Sequence, residues 1–455
     1  MNPAPLDKSE GDVNLSPLRR EWTESHIDNA TQRLLQRDAD CFLHQTLSTP
    51  CLNVIESATG ASFTDAAGRH YLDFHGNNVH QVGFGHPRVI EAIKRQLDKL
   101  SFCTRRYTCE PAIALAEKLI DVSPAGLERV LFAPSGATAI SIALKLARVA
   151  TGRFKYLSMW DSFHGATLDA ISVGGEAAFR QGIGPLLPGC EHVPPPDHRH
   201  CPFRCGASCS LACADYVEYV LQKEGDVAAV IAETIRCTPL IPPPEYWQRI
   251  RAACDKHGAL LILDEIPIGL GRTGKMFACE HYSITPDILV LGKGLGGGIF
   301  PLAAILCRKD LNVAARMSLG HFTHEKNPVA CAAGLATLQV IEEEKLVERA
   351  RTLGLSAKKR LEEMAKTHPL MGDVRGLGLI LGIELLKNGQ PAIDEAERVM
   401  YAALRDGLNF KVTMGNILTL TPPLVLTDPE MDQALSILER AIGSVENATV
   451  FAKVG

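Results

Sequence analysis

Long apolar runs are missing from this chain: no stretch approaches eighteen uninterrupted apolar residues, and the opening MNPAPLDKSEGDVNLSPLRREW has no apolar core. Neither a membrane-spanning helix nor a secretory leader is expected, so the chain reads as soluble and cytoplasmic. Blocks of like charge are missing too. None reaches five residues and the net charge is only -5, which argues against nucleic acid or an anionic membrane as the main partner. No repeat or low-complexity tract breaks up the 455 residues. That length exceeds what one hydrophobic core organises and predicts a large domain with a smaller companion. Cysteine, by contrast, is plentiful at fourteen, but scattered through a long chain without a leader these read as reduced thiols.

A metal–nucleotide site is lacking as well, though narrowly. In LLILDEIPIGLGRTGKM (260–276), Gly269, Gly274 and Lys275 fit the G-x-x-x-x-G-K frame of a phosphate-cradling loop, but Met276 stands where a magnesium-ligating hydroxyl is required. The apolar run 260–263 reads instead as a buried strand ending in an acidic pair, Asp264 and Glu265. Comparable β-rich runs are RVLFAPS at 129, KYLSMW at 155, AAVIAET at 228, DILVLGK at 287 and AAILC at 303. They mostly alternate with helical segments such as ATAISIALKLARVA, the pattern of an α/β domain with a parallel sheet. From Pro328 one long helix is expected through VACAAGLATLQVIEEEKLVERARTLGLSAKKRLEEMA, then strand-like VRGLGLILGIEL and two more helical stretches. This predicts a smaller α+β domain to which the amino-terminal segment contributes.

Open parallel sheets bind ligands beyond the carboxyl ends of their strands, and the unusual residues cluster there. After LFAP come Ser135, Gly136 and Ala137 at the head of a helix, where free amides and the dipole suit a phosphate. Phe163 and His164 follow YLSMW, Asp264 follows ALLIL, and Lys293 follows DILVLG. The stretch GKGLGG (292–297) also fits the G-x-G-x-x-G dinucleotide fingerprint, but no acid stands where the next strand should supply one, so the nicotinamide case is weak. The cofactor chemistry that wants a lysine, a carboxylate, an aromatic face and a phosphate pocket is that of pyridoxal phosphate.

With these motifs the chain resembles the class III (subgroup II) pyridoxal-phosphate aminotransferases of fold type I, from about GRHYLDFHGNNVHQVGFGHPRVIEAI to GNILTLTPPLVLT. The resemblance implies a mostly parallel seven-stranded sheet flanked by helices in a large domain (76–328), with a small α+β domain from 329–455 and residues 1–75. Lys293 in LGKGLGGG looks like the lysine that carries the cofactor and acts as the base. Asp264 in DEIPIGLGRTG looks like the partner of the pyridine nitrogen, Ile266 like the residue beneath the ring and Phe163 in SFHG like the aromatic above it. His164 and Glu233 join the cofactor contacts. Ser135, Gly136 and Ala137 resemble the phosphate turn, and Thr323 in GHFTHEKNPVACAAGLATL the phosphate-binding threonine supplied by a second subunit, which implies a homodimer.

Departures from the family pattern bear on the reaction. Pro267 replaces the glutamine of Asp-Glu-Val-Gln, Thr138 the acid of Ser-Gly-Thr-Glu-Ala, and Arg236 in ETIRC the glutamine of Glu-Pro-Val-Gln-Gly. Glu325 and Lys326 replace the usual glycine pair, and Thr419 in NILTLTPPL stands where many members carry a carboxylate-gripping arginine. A transaminase binds two substrates in turn, one of them nearly always carrying a carboxylate that wants such an arginine. A lyase acting on a single amine does not. NNVHQVG, with Asn78 as a substrate contact, is similar to the NNVAHVG stretch of the family's phospho-lyases. The expectation is therefore loss of ammonia from 1-hydroxy-2-aminoethylphosphonate to give phosphonoacetaldehyde. An ω-amino transaminase using a keto-acid acceptor is the alternative, and a catalytically silent pyridoxal-phosphate-binding protein a third reading, disfavoured because lysine and aspartate are both present.

Arg105, Arg106 and Arg236 are candidates for the substrate's acidic tail, against the reading of each as a surface or interface salt bridge. Elimination also needs a proton donor, which His80, His164, Tyr107 and Lys293 leave open. Finally, HRHCPFRCGASCSLAC spaces Cys201, Cys205, Cys209 and Cys213 four apart behind His198 and His200. Zinc ligands usually come as close pairs separated by a longer span, so an insertion loop of reduced thiols near the site entrance is preferred to a metal.

Overall fold

The fold comes from a computed structural model that describes residues 16–45, 51–197, 199–205 and 209–451. Two compact units emerge: Pro87–Val347, and the segments Met1–His86 and Glu348–Gly455 taken together. These divisions fall later than the expected 75/76 and 328/329. Residues up to 86 stay with the flanking unit because Phe84 and Gly60 exchange backbone hydrogen bonds. The helix Pro328–Glu343 stays with the central unit because it packs on Pro87–Lys99 and Glu110–Val122. The single long helix expected from Pro328 is two, broken before Leu346–Ala365 at Lys345, whose φ is 54°. Three successive acids, Glu342 to Glu344, stand at the negative end of the first helix dipole and favour that stop.

The central unit is built on seven strands: β1 (Leu127–Ala133), β2 (Lys155–Met159), β3 (Cys190–Val193), β4 (Val227–Glu233), β5 (Leu260–Asp264), β6 (Ile288–Leu291) and β7 (Ala303–Arg308). Their order is β1-β7-β6-β5-β4-β2-β3. Only β7 runs antiparallel to its neighbours. It follows β6 after a short connection without a crossover helix, and a parallel pairing cannot be made in that length. Strand β3 escapes sequence reading because it is four residues long and lies at the sheet edge just before three prolines. The middle strands β4 and β5 are apolar along almost their whole length, as strands covered on both faces must be. On one face the helix Gly136–Thr151 sets Ile140, Ala143 and Ala147 into a core with Ile231, Ile262 and Val290.

In the flanking unit, segments from before and after the central unit pair with each other. Ile55–Thr59, Ser62–Asp65 and His70–Asp73 form a small sheet whose fourth strand, Leu408–Asn409, comes from the carboxyl-terminal third. A second sheet joins Met371–Leu377, Ile380–Lys387, Ile417–Leu420 and Lys411–Thr413, with Gln390–Pro391 paired to its second strand. Trp22 of the amino-terminal helix packs against Tyr401. Among the described residues no helix is long and apolar enough to cross a membrane.

Candidate active site

Strand register assembles the chemistry. On the neighbouring parallel strands β4 and β5, Glu233 lies opposite Asp264, and on β6 Val290 lies opposite the same aspartate. Three residues beyond Val290, Lys293 takes a left-handed backbone with φ 46° in the tight turn after the strand. A lysine held there is strained, and such outliers concentrate at functional sites. Asp264 is 2% exposed; its Oδ1 accepts the Ile266 N–H at 3.0 Å and its Oδ2 lies 2.8 Å from Nδ1 of the buried His164. The other ring nitrogen of His164 has no hydrogen-bond partner among the described residues.

The helix start closes on the same point. Ser135 caps the helix, its Oγ accepting the Thr138 N–H at 3.3 Å while Thr138 Oγ1 accepts the Ser135 N–H at 3.1 Å. Thr138 therefore supplies the reciprocal bond that a glutamate makes in the usual capping box. The Gly136 and Ala137 amides belong to the first turn, where N–H groups have no intrahelical partner. A Cβ on Gly136 would meet Ile266 Cδ1 at 2.9 Å, and one on Gly292 would meet Ile266 Cγ2 at 3.2 Å. Ile266 thus lies between the helix start and the residue before Lys293. From the other side, a Cβ on Gly165, whose φ is +127°, would fall 2.6 Å from the Ala137 Cβ, so the turn carrying Phe163 and His164 is pressed onto the helix start. Phe163 donates its N–H to Glu233 Oε2 at 3.3 Å, and its ring lies 4.4 Å from that of Phe179.

Ser135, Gly136, Ala137, Phe163, His164, Glu233, Asp264, Ile266 and Lys293 are therefore linked by direct contact or by adjacent strand ends. Burial lifts the Glu233 carboxyl to about 7, outweighing the Arg236 guanidinium beside it. Arg236 is itself buried, with Nη2 2.7 Å from Glu176 Oε2 and Nε 3.6 Å from Glu233 Oε2. The sequence offers no local signal for Glu176, sixty residues away from its partner. Thr323 is exposed on the turn 323–326, and Arg105 donates to His321 Nε2 at 2.9 Å beside it. Glu325 explains one departure: its Oε2 accepts the His321 and Phe322 amides and so shapes this turn. Arg106 is exposed. In the flanking unit, Asn78 is buried with φ 58°, and Thr419 is 2% exposed with its hydroxyl 2.8 Å from that of Thr413.

The cysteine run is divided between a loop and a helix. Cys201 and Cys205 are in contact at 3.6 Å, Cys209 is exposed, and Cys213 is buried in the helix Ala212–Glu224. His198 lies outside the described residues, and among those described no group of three or more His, Cys, Asp or Glu side chains could hold a metal.

A strand-end lysine, a buried aspartate steered by a histidine, an apolar floor and a capped helix start lie together beyond the carboxyl ends of the middle strands, and their chemistry fits the pyridoxal phosphate of a fold type I enzyme. The fit rests on Asp264, which has lone-pair capacity left for a pyridinium N–H, and on the glycines that let Ile266 approach both helix and lysine turn. The chain matches the class-III aminotransferase model over residues 44–442 and belongs to that family. It is a pyridoxal-phosphate-dependent enzyme. It is 49% identical to the (R)-1-hydroxy-2-aminoethylphosphonate ammonia-lyase of Vibrio splendidus, over 96% of this chain and 95% of that protein. To the leucine/methionine racemase of Thermococcus litoralis it is 37% identical, over 92% and 97%. A solved amine transaminase from an uncultivated Pseudomonas species, in its PLP-bound form, is similar with a TM-score of 0.83 at 31% identity, covering 89% of this chain and 99% of that one.

Proposed function

We propose that this enzyme is an ammonia-lyase that converts 1-hydroxy-2-aminoethylphosphonate to phosphonoacetaldehyde and ammonia. The observation that carries the reading is the 49% identity to the Vibrio splendidus ammonia-lyase across nearly the whole of both chains. The buried Thr419, hydrogen-bonded to Thr413 where transaminases commonly carry an arginine, supports it. The similarity to an amine transaminase keeps transamination with a keto acid as the second reading.

When bound, pyridoxal phosphate supplies an electron sink that makes the hydrogens on the amine-bearing carbon acidic. Asp264, held by His164 and the Ile266 amide, would keep a proton on the pyridine nitrogen. The Ser135–Ala137 amides, joined by Thr323 of a second copy, would receive the phosphate. Ile266 and Phe163 would bracket the ring. The Lys293 amine would hold the cofactor in the resting enzyme and then take the proton from the substrate's amine-bearing carbon. Loss of the β-hydroxyl follows, and the released enamine hydrolyses to aldehyde and ammonia. Atoms balance without an acceptor, since the hydroxyl leaves and water returns at the neighbouring carbon. Arg105, beside His321 and Thr323, is the arginine we assign to the phosphonate.

Exposure of Tyr107, Ile299, Met317 and Thr323 in the single chain supports a homodimer, and fourteen free cysteines support a cytoplasmic setting. The test is the fate of nitrogen: ammonia and aldehyde should form from the aminophosphonate with no keto acid present. Strict dependence on pyruvate or oxoglutarate would overturn the assignment in favour of transamination.

A further inference from the structure

The sequence suggests Arg236 for the substrate's acidic tail, but its surroundings point elsewhere. Arg236 follows β4 in a turn closed by two backbone bonds with Leu240, both 3.1 Å, so the origin of its side chain is fixed. Its guanidinium reaches Glu176 at 2.7 Å and Glu233 at 3.6 Å, and all three side chains are at most 8% exposed. Glu176 in turn lies within a strap, residues 174–180, laid over the segment leading to Phe163. The Gly175 and Glu176 amides both donate to Ser162 O, at 2.9 and 3.1 Å, and a Cβ on Gly175 would come within 2.1 Å of Met159 O. Three residues past Glu176, Phe179 lies against the Phe163 ring, while the Phe163 amide donates to the same Glu233 oxygen that faces Arg236. The contacts form a closed circuit from Phe163 through Glu233, Arg236, Glu176 and Phe179 back to Phe163.

We infer that Glu176 and Arg236 are positioning residues, a buried clamp that fixes the Phe163 face of the cofactor site through Glu233 and the 174–180 strap, and that Arg236 does not bind substrate. This rests on the reading of Phe163 as the aromatic above the ring. Physical chemistry supplies the distinguishing signature. Removing one partner of a buried ion pair leaves the other charge less compensated, whereas removing both relieves much of that penalty. An arginine that bound substrate would, when removed, also raise KM at unchanged cofactor retention.

The experiment is a cycle on the holoenzyme with Arg236→Gln, Glu176→Gln and the double variant, reading the melting temperature, the rate of cofactor loss on dialysis, and KM and kcat separately. Each single change should lower Tm by roughly 5–10 °C and speed cofactor loss roughly tenfold, and the double variant should be more stable than either. Should the single variants fail to fold, Arg236→Lys and Glu176→Asp, which keep the charges but shift their geometry, should still lower Tm and loosen the cofactor. Additive losses, or an Arg236→Gln enzyme with parental Tm and cofactor retention but a KM raised tenfold, would overturn the clamp. Tm and cofactor retention are blind to whether the enzyme eliminates or transaminates, so failure of the lyase reading would appear separately, as keto-acid dependence.

Discussion

His164 offers the sharpest single test of how the site is held. Its Nδ1 lies 2.8 Å from Asp264 Oδ2, and the two side chains are 0% and 2% exposed, so neither water nor salt screens the contact. A hydrogen bond to an ionised group is worth about 1.5–3 kcal/mol. If that stabilisation is felt where charge flows toward Asp264, its loss lowers kcat by roughly ten- to a hundredfold. His164→Leu removes the donor, and His164→Asn returns an N–H near the position of Nδ1. The Leu variant should lose that factor in kcat and red- or blue-shift the bound-cofactor absorbance, while Asn should recover most of both. Global stability should move much less. Leucine strands one oxygen of Asp264 but also relieves the His164 Nε2, a buried atom without a partner among the described residues, and such an atom costs about 1–3 kcal/mol. A Leu variant with kcat and spectrum within twofold of the parent would refute the account of Asp264 as a carboxylate aligned by His164.

Other tests address the remaining parts of the site. Lys293→Ala should abolish both turnover and the covalent cofactor adduct found after borohydride reduction; an adduct mapped to another lysine would contradict the strand-end assignment. Gly136→Ala should drive Ile266 from its place, since the added carbon would stand 2.9 Å from Ile266 Cδ1, and titration should show weakened cofactor binding with the fold intact by circular dichroism. Glu233 carries a pH signature: with its carboxyl raised from 4.5 to about 7, its contribution to stability is complete below about 4.5 and is lost as pH rises through about 7. The unfolding free energy of Glu233→Gln, from denaturant melts, should therefore fall less between pH 5 and pH 8.5 than that of the parent, by up to about 3 kcal/mol; parallel curves would count against it.

What the sequence discloses depends on whether the controlling interaction is local. Strands β4, β5 and β6 are legible because residues buried on both faces leave continuous apolar runs, and Asp264 and Lys293 are legible because they end those runs. Strand β3 is not, being a four-residue edge strand with only one fully buried position. The break at Lys345 is easy to miss because it carries neither glycine nor proline and apolar periodicity resumes at Leu346, one residue out of phase. Arg236 shows how a site residue can be singled out while its chemistry stays hidden: its position beside the site is readable, but its partner Glu176 lies sixty residues earlier in a loop and leaves no periodic trace. Thr138 and Glu325, which look like losses beside the family pattern, are a helix cap and a turn brace once their hydrogen bonds are seen.

Among the proteins similar to this chain are a lyase, a racemase and a transaminase, so a lysine and an aspartate at adjacent strand ends do not choose the reaction. All three begin by removing a hydrogen from the carbon that bears the amine, and they part afterwards. A buried Thr419 in place of an arginine disfavours a second, carboxylate-bearing substrate but leaves racemisation and elimination equally open. The substrate separates them: in 1-hydroxy-2-aminoethylphosphonate the amine-bearing carbon carries two hydrogens, so reprotonation there has no stereochemical consequence, while the neighbouring hydroxyl can leave. 2-Aminoethylphosphonate differs by that one oxygen. Incubated with the enzyme in D2O, it should gain deuterium at the amine-bearing carbon, because proton removal by Lys293 needs no leaving group, yet release no ammonia. Ammonia from this compound would mean that nitrogen leaves by a route other than β-elimination, and an amino acid formed only when pyruvate is added would identify the enzyme as a transaminase.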